Sequence, residues 1–215
     1  MTAGFPRAEP PQAAGLPRHR AVIALDIERS TTRPDPVKAE LRAKLYELFD
    51  TALLTAGIRR HHRDRFTDRG DGILALIRPV DQAPTAALLK TAVPALSQLL
   101  THYNASLPRT SRLQRQLRVR AVVHAGEVNY DRNGCFGEAL DIAFRLLDAA
   151  HVKKALQAAA DPLILVISGD IYRAMSATDT TASTSTPSTR SCRSASPVTA
   201  IPAGSTSPAR PPPAR

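Results

Sequence analysis

The chain has 215 residues and a formal net charge of +10, a length that suits one domain with a sizeable core rather than two. No apolar run approaches the roughly 20 residues needed to cross a bilayer, and the first residues lack the apolar core of a secretory signal. We therefore expect a cytoplasmic protein without a membrane segment.

The excess of basic residues leaves three readings open: a nucleic-acid partner, a phosphate-bearing substrate, or an Arg-rich coding bias. The densest basic cluster, Arg59 to Arg63, contains no aromatic residue that could stack on bases. We interpret it as a solvated loop and expect no specific nucleic-acid partner. Cys135 and Cys192 lack partners at the spacing of a zinc site or a redox pair, so no metal-thiolate site is predicted.

The N-terminal third predicts a leader, a strand and a helix. Residues 1–19 are rich in Pro, Ala and Gly without a period, which is typical of a disordered segment. Ala21 to Ile27 is an apolar run of strand length that carries one acid, Asp26. Asp35-Pro36 is a helix start signal, and apolar residues then recur at helical spacing until Gly57.

A hairpin follows. Two short segments, Arg65 to Thr67 and Ile73 to Ile77, flank the turn-forming residues Asp68 to Gly72. This pattern places Asp71 at or near the tip of the hairpin.

The remaining elements complete the fold prediction. The pattern predicts a helix over 86–103 and a strand over 117–123. After a turn at 131–134 it predicts a helix over 139–150 and a strand over 163–167. Pro94 should kink or divide the first of these helices. The order of elements matches an α+β, ferredoxin-like (split βαβ) layout, a mainly antiparallel sheet with helices on one face, over residues 20–173. Residues 174–215 have almost no large apolar side chains, which predicts a disordered tail.

Asp26 and Asp71 are what a two-carboxylate metal site requires. If the first strand lies beside the hairpin, both carboxylates emerge at one edge of the sheet and can hold Mg²⁺ or Mn²⁺. Each residue also has a plain structural explanation. An Asp at a strand end can cap a turn, and Asp-Gly is a common hairpin turn in its own right.

Four segments resemble, in order, the motifs of class III adenylate and guanylate cyclase catalytic domains. The segment around Asp26-Ile27 resembles the first metal-binding motif, and the hairpin Gly-Asp resembles the second. The other two resemble the family's central strand with its His-Thr-Gly-Glu-type exit, and the helix that ends in Asn-x-Ala-x-Arg. The segments are Ala24 to Thr31, Arg69 to Ala75, Arg118 to Val128 and Phe136 to Leu146. The chain thus resembles a divergent member of this family between about Ala21 and Tyr172.

The resemblance implies a reaction and a set of residues. A ribose 3′-hydroxyl attacks the α-phosphate of a nucleoside triphosphate, which releases pyrophosphate and closes a cyclic monophosphate. Asp26, Asp71 and the backbone carbonyl of Ile27 would hold two Mg²⁺ or Mn²⁺ ions, and Arg145 would stabilise charge on the α-phosphate. In this family the metal residues and the Arg come from different subunits, so a head-to-tail homodimer is implied.

Other positions of the resemblance concern the substrate. Ser30 and Thr31 form the small-residue turn that would contact it. Thr67 and Gly134 align with the base-recognition positions, where adenylate cyclases have Lys and Asp and guanylate cyclases have Glu and Cys. With Thr67 and Gly134 at these positions, neither purine pattern is present. Cys135 lies one place away from the guanylate cyclase position and is not counted. A pyrimidine triphosphate, relaxed specificity and an inactive site all stay open.

Asp141 replaces the Asn that the family usually has, four residues before Arg145. The plain alternative for this pair is a surface ion pair on one helix face. We therefore keep two functions: a cyclase that makes a second messenger, and a cyclase-homology module that dimerises or senses a nucleotide without turnover. A relative of palm-type polymerases or diguanylate cyclases lacks support, because the second acid expected directly after the hairpin Gly-Asp is missing. His124 is interpreted as a satisfied core residue.

Overall fold

A computed structural model describes residues 15–81, 84–179 and 199–202. Within these ranges the chain forms one seven-stranded sheet in the order β2-β3-β1-β4-β6-β7, with β5 paired to β4. The strands are β1 Arg18–Ile27, β2 Thr67–Asp68, β3 Gly72–Ile77, β4 Val119–Asp131, β5 Gly134–Phe136, β6 Leu163–Ile167 and β7 Thr199–Pro202.

Helices connect the strands. They are α1 Asp35–Thr55, α2 Thr85–Ala87, α3 Val93–Ser106, α4 Arg112–Arg115, α5 Glu138–Asp148, α6 Ala150–Ala158 and α7 Gly169–Asp179. A π-helical segment, Leu88–Ala92, joins α2 to α3 directly before Pro94. Proline lacks the N–H that bonds to the carbonyl four residues back, so the predicted interruption at Pro94 takes the form of a wider turn. None of the helices in the described ranges is long and apolar enough to cross a membrane.

The central strand is β1, which pairs antiparallel with β3 on one side and with β4 on the other. The four strands β2-β3-β1-β4, with α1 crossing from β1 to β2, reproduce the split βαβ layout. The predicted α+β, mainly antiparallel fold is therefore confirmed. The exception to antiparallel pairing is β6, which lies parallel to β4.

Helices cover both faces of the sheet, which corrects the prediction of one covered face. Ile23 and Leu25 of β1 belong to a core shared with α1 and α3, whereas Val22 and Ala24 belong to a second core shared with α5 and α6. The parallel connection from β4 to β6 requires a crossover, and α5 and α6 supply it on the second face. Fully apolar strands such as Leu163–Ile167 are typical of sheets covered on both sides.

The C-terminal boundary also differs from the prediction. The expected domain end at residue 173 falls inside α7, which continues to Asp179. Thr199–Pro202, inside the expected disordered tail, pairs antiparallel with β6. At the other end β1 already begins at Arg18. The rest of the predicted leader and tail lies outside the described residues.

Candidate active site

The two acids that were predicted to act together lie at the ends of neighbouring strands. Asp26 faces Gly72 in the β1–β3 register, so Asp71 sits beside the end of β1. The N–H of Ile27 donates to the carbonyl of Asp71 at 3.1 Å. A Cβ at position 72 would lie 2.3 Å from the carbonyl oxygen of Leu25, so only glycine allows the hairpin this close. The sequence pattern thus brings Asp26, Ile27 and Asp71 together.

Helix α1 fixes the hairpin turn that carries Asp71. Gly70 has a φ of +77°, and its N–H donates to Oδ1 of Asp68 at 2.7 Å. Arg42 of α1 donates to the Gly70 carbonyl at 2.5 Å and pairs with the carboxylate of Asp68. The hydrogen bond from Arg42 lowers the pKa of Asp68. Among the described residues no side chain pairs with the Asp71 carboxylate, which is half-buried and open to a ligand.

Asp26, in contrast, is already paired. It faces Arg120 of β4 in the register, and the Arg120 guanidinium binds its Oδ2 atom. The two side chains are 17% and 12% exposed. Burial lowers the pKa of Arg120, and its Nε is buried without a partner among the described residues. No sequence pattern points to Arg120, because its position opposite Asp26 depends on strand register.

Two cavities meet at this corner of the sheet. One of about 310 Å³ lies between β1, the loop after it, β4 and α6, and one of about 560 Å³ lies between that loop, α1 and the hairpin. Asp71, Ser30 and Thr31 line both cavities, so the turn predicted to contact substrate does lie beside Asp71. The smaller cavity is also lined by the cations Arg29, Arg120 and Lys153, a charge pattern that suits phosphate oxygens.

The two candidate base-recognition positions, Thr67 and Gly134, lie in different surroundings. The side chain of Thr67 on β2 lies close to the Cys135 thiol on β5. Gly134, at the tip of the β4–β5 hairpin, instead donates its N–H to Oδ1 of Asp131 at 3.0 Å. Burial raises the pKa of the Cys135 thiol. Cys135, which was not counted as a base-recognition position, is therefore the residue beside Thr67.

The candidate catalytic helix α5 begins after Gly137, whose φ is +136°. Asp141 and Arg145 are both exposed on it. Within the described residues neither side chain forms an ion pair with the other, so the surface-pair alternative does not describe this structure. The Arg145 guanidinium is free to contact a ligand or another chain.

Three basic residues away from this corner of the sheet are buried. His124 is buried and its Nδ1 lies 2.8 Å from the Ser168 hydroxyl, as expected for a satisfied core residue. The predicted solvated loop is wrong for His62 and Arg63, which are buried. Arg63 pairs with Asp50, and its guanidinium carbon lies 3.8 Å from the centroid of the Phe66 ring.

The residues at the corner fit a hard divalent cation by their chemistry. Carboxylates and a backbone carbonyl are the oxygen ligands that Mg²⁺ and Mn²⁺ accept. Within the parts of the chain that the structure describes, no group of three or more His, Cys, Asp or Glu side chains could hold a metal. A site of two carboxylates is smaller than such a cluster, and one of its members, Asp71, is open.

Sequence comparisons give a limited picture. No protein-family model matches this chain. The chain is 29% identical over 126 residues, 59% of its length, to the serine/threonine-protein kinase pkn2 of Myxococcus xanthus. The match spans 14% of that kinase, so this chain corresponds to a small part of the kinase's length.

Structure comparisons agree with one another. The guanylyl cyclase Cya2 matches with 15% identity and a TM-score of 0.53, over 75% of this chain and 80% of that one. A bacterial light-regulated adenylyl cyclase matches with 15% identity and a TM-score of 0.54, over 79% and 47%. An adenylate/guanylate cyclase/hydrolase from Silicibacter pomeroyi matches with 18% identity and a TM-score of 0.50, over 75% and 81%. The described part of this chain therefore has the fold of adenylate and guanylate cyclase catalytic domains.

Proposed function

We propose that the chain is a metal-dependent nucleotidyl cyclase that converts a nucleoside triphosphate to a 3′,5′-cyclic nucleotide and pyrophosphate for signalling in the cytoplasm. The observation that carries the proposal is the meeting of Asp26 and Asp71 at one corner of a cyclase-type sheet. Their neighbours support a phosphate-bearing substrate, because cations surround a cavity that Asp71 also lines.

In this proposal Asp26, Asp71 and the carbonyl of Ile27 hold two Mg²⁺ or Mn²⁺ ions. When bound, such ions lower the pKa of an attacking hydroxyl and neutralise a triphosphate. The chain's own part is to fix the ligands: Gly72 lets the hairpin approach β1, and Arg42 ties the turn to α1.

A second copy of the chain completes the proposed site. Arg145 is exposed on α5 and has no ion-pair partner among the described residues, so its charge is available to a substrate held by another subunit. A guanidinium suits charge that develops on a phosphate, because it is permanently ionised and donates in a planar fork. We therefore propose a head-to-tail homodimer with two sites.

The base that the site accepts is left open by its residues. Thr67 can donate or accept one hydrogen bond. Gly134 offers only backbone groups. All four ribonucleoside triphosphates therefore belong in the test.

A second candidate is a cyclase-homology module without turnover. The ion pair between Asp26 and Arg120 favours it, because a carboxylate that already holds a guanidinium is a poorer metal ligand. Asp141 also favours it, since a carboxylate beside the proposed catalytic Arg145 repels a triphosphate.

The deciding experiment incubates the purified chain with each of the four ribonucleoside triphosphates and Mn²⁺, and identifies cyclic products by mass spectrometry. Product that disappears in Asp71→Ala supports the cyclase. Product that survives in Asp71→Ala contradicts the metal site. A folded dimer that makes no product from any of the four nucleotides supports the homology module.

A further inference from the structure

We propose that Arg120 is an internal counter-ion that competes with a divalent cation for Asp26. The metal-free protein would then present one open carboxylate, Asp71, instead of two. The inference rests on the proposed metal site at Asp26 and Asp71, and it identifies the residue that sets the affinity of that site.

The pairing is built into the backbone. Asp26 and Arg120 are Cα partners in the antiparallel register of β1 and β4, so their side chains emerge next to each other on the same face of the sheet. Strand β4 is hydrogen-bonded to β1 on one side and to β6 on the other. A movement of strand β4 away from β1 would break hydrogen bonds on both of its sides, so Arg120 can leave Asp26 only by a change of its side-chain rotamer.

Burial strengthens the competition. The side chains of Asp26 and Arg120 are 17% and 12% exposed, so solvent screens their attraction only in part. A cation that binds Asp26 must displace a guanidinium that is held in a partly dry setting. From the cost of breaking such pairs, we expect the ion pair to weaken cation binding at Asp26 by about tenfold or more.

The Arg120 side chain borders a cavity into which it can move. Its Nε is buried and has no partner in the described part of the chain, so the guanidinium is incompletely satisfied where it lies. Arg120 lines the cavity of about 310 Å³ that Asp71 and Lys153 also line. A change of the Arg120 rotamer therefore frees the Asp26 carboxylate while Arg120 stays in the same cavity. Its guanidinium charge there is then no longer neutralised by Asp26.

The test measures Mn²⁺ binding to the full chain without nucleotide, by electron paramagnetic resonance of free Mn²⁺ and by titration calorimetry. Arg120→Gln should tighten binding by about tenfold or more, because it removes the competing charge. The matched control is Arg63→Gln. It removes the positive charge of the Arg63–Asp50 pair, which lines a different cavity. The control should leave Mn²⁺ affinity unchanged.

Two further variants locate the effect. Asp26→Asn should weaken Mn²⁺ binding only slightly in the wild-type background but should remove the whole gain in the Arg120→Gln background. Asp71→Asn should weaken binding in both. Circular dichroism checks folding, and if Arg120→Gln does not fold, Arg120→Met replaces it because it keeps the apolar stem.

An Arg120 variant that folds and binds Mn²⁺ no more tightly than wild type overturns the inference. A gain that persists in the Asp26→Asn double variant overturns it as well. Both results are independent of turnover. A protein that makes no cyclic product can still show the gain, and an active cyclase whose metal affinity ignores Arg120 contradicts this inference while the proposed function stands.

Discussion

The guanidinium of Arg69 lies 4.1 Å from the centroid of the Phe144 ring. Arg69 belongs to the hairpin turn that carries Asp71, and Phe144 precedes Arg145 on α5. The contact therefore joins the turn with the candidate metal ligand to the helix with the candidate catalytic arginine. In one protomer the contact thus links two elements that, in the proposed dimer, contribute to two different sites.

Removing that contact should loosen the turn without unfolding the domain. Arg69 is exposed, so we expect Arg69→Ala to lower the free energy of unfolding by about 0.5 to 1 kcal/mol. Urea denaturation measures the change. Arg132→Ala, at another exposed turn position, is the control and should change it by less. Equal effects from the two variants would show that the Phe144 contact contributes nothing.

Gly72 should tolerate no side chain. A Cβ there would lie 2.3 Å from the backbone oxygen of Leu25, and the backbone of β1, which is paired on both sides, cannot move aside cheaply. We expect Gly72→Ala to destabilise the domain by about 2 kcal/mol or more, measured as a fall in the urea midpoint. Gly15→Ala, where nothing lies within 4 Å, should have almost no effect. A Gly72→Ala protein as stable as wild type would mean that β1 and β3 are not this close.

Much of the corner could be predicted because the chemistry is local. The Asp26 strand and the Gly-Asp hairpin each have a short signature, and the split βαβ order places them side by side. The covered second face had a signal too, since Ala21 to Leu25 is apolar without alternation.

The rest depended on facts that no short segment contains. The pairing of Asp26 with Arg120 and of Thr67 with Cys135 depends on strand register and hairpin length, where a shift of one residue changes the partner. The strand Thr199–Pro202 has too few apolar residues to stand out, and its position follows from the free edge of β6.

The hydrogen bonds around Asp64 should make the free energy of unfolding depend on pH in both the acidic and the basic range. Asp64 accepts hydrogen bonds from Tyr130 at 2.7 Å, from Arg20 at 3.1 Å and from Arg78 at 3.3 Å. Burial by itself would raise the pKa of Asp64, but the bonds from Tyr130 and Arg20 outweigh it, so the pKa lies below 3.8. Burial and the bond to Asp64 raise the pKa of Tyr130 to about 12.

The signs follow from which form is stabilised. The folded pKa of Asp64 is depressed, so its contribution is present above the unfolded value of 3.8 and is lost as the pH falls through the folded value. The folded pKa of Tyr130 is raised, so its contribution is present below the unfolded value of 10.0 and is lost as the pH rises through about 12.

Asp64→Asn should therefore lower the free energy of unfolding at pH 7 by about 3 kcal/mol, because it leaves the buried Arg20 without its counter-charge. It should also flatten the loss of stability below about pH 4. Urea denaturation at several pH values measures both effects. Asp35→Asn, which removes an exposed partner of Lys38, should change stability by about 0.5 kcal/mol or less. If the Asp64→Asn protein lost stability below about pH 4 as steeply as wild type does, Asp64 would not be the source of that loss.

The proposed dimer predicts that two inactive variants restore each other. If one subunit supplies Asp71 and the other supplies Arg145, Asp71→Ala and Arg145→Ala homodimers both lack turnover, but a mixed dimer has one intact site and one doubly altered site. Random exchange of subunits should then return about a quarter of wild-type activity. The matched control mixes Asp71→Ala with Asp26→Ala. Each of its sites contains one altered metal ligand, so that mixture should stay inactive. No recovery in the Asp71→Ala and Arg145→Ala mixture, despite verified exchange, would place Asp71 and Arg145 in the same subunit's site. Recovery in the control would contradict the assignment of Asp26 and Asp71 to one subunit.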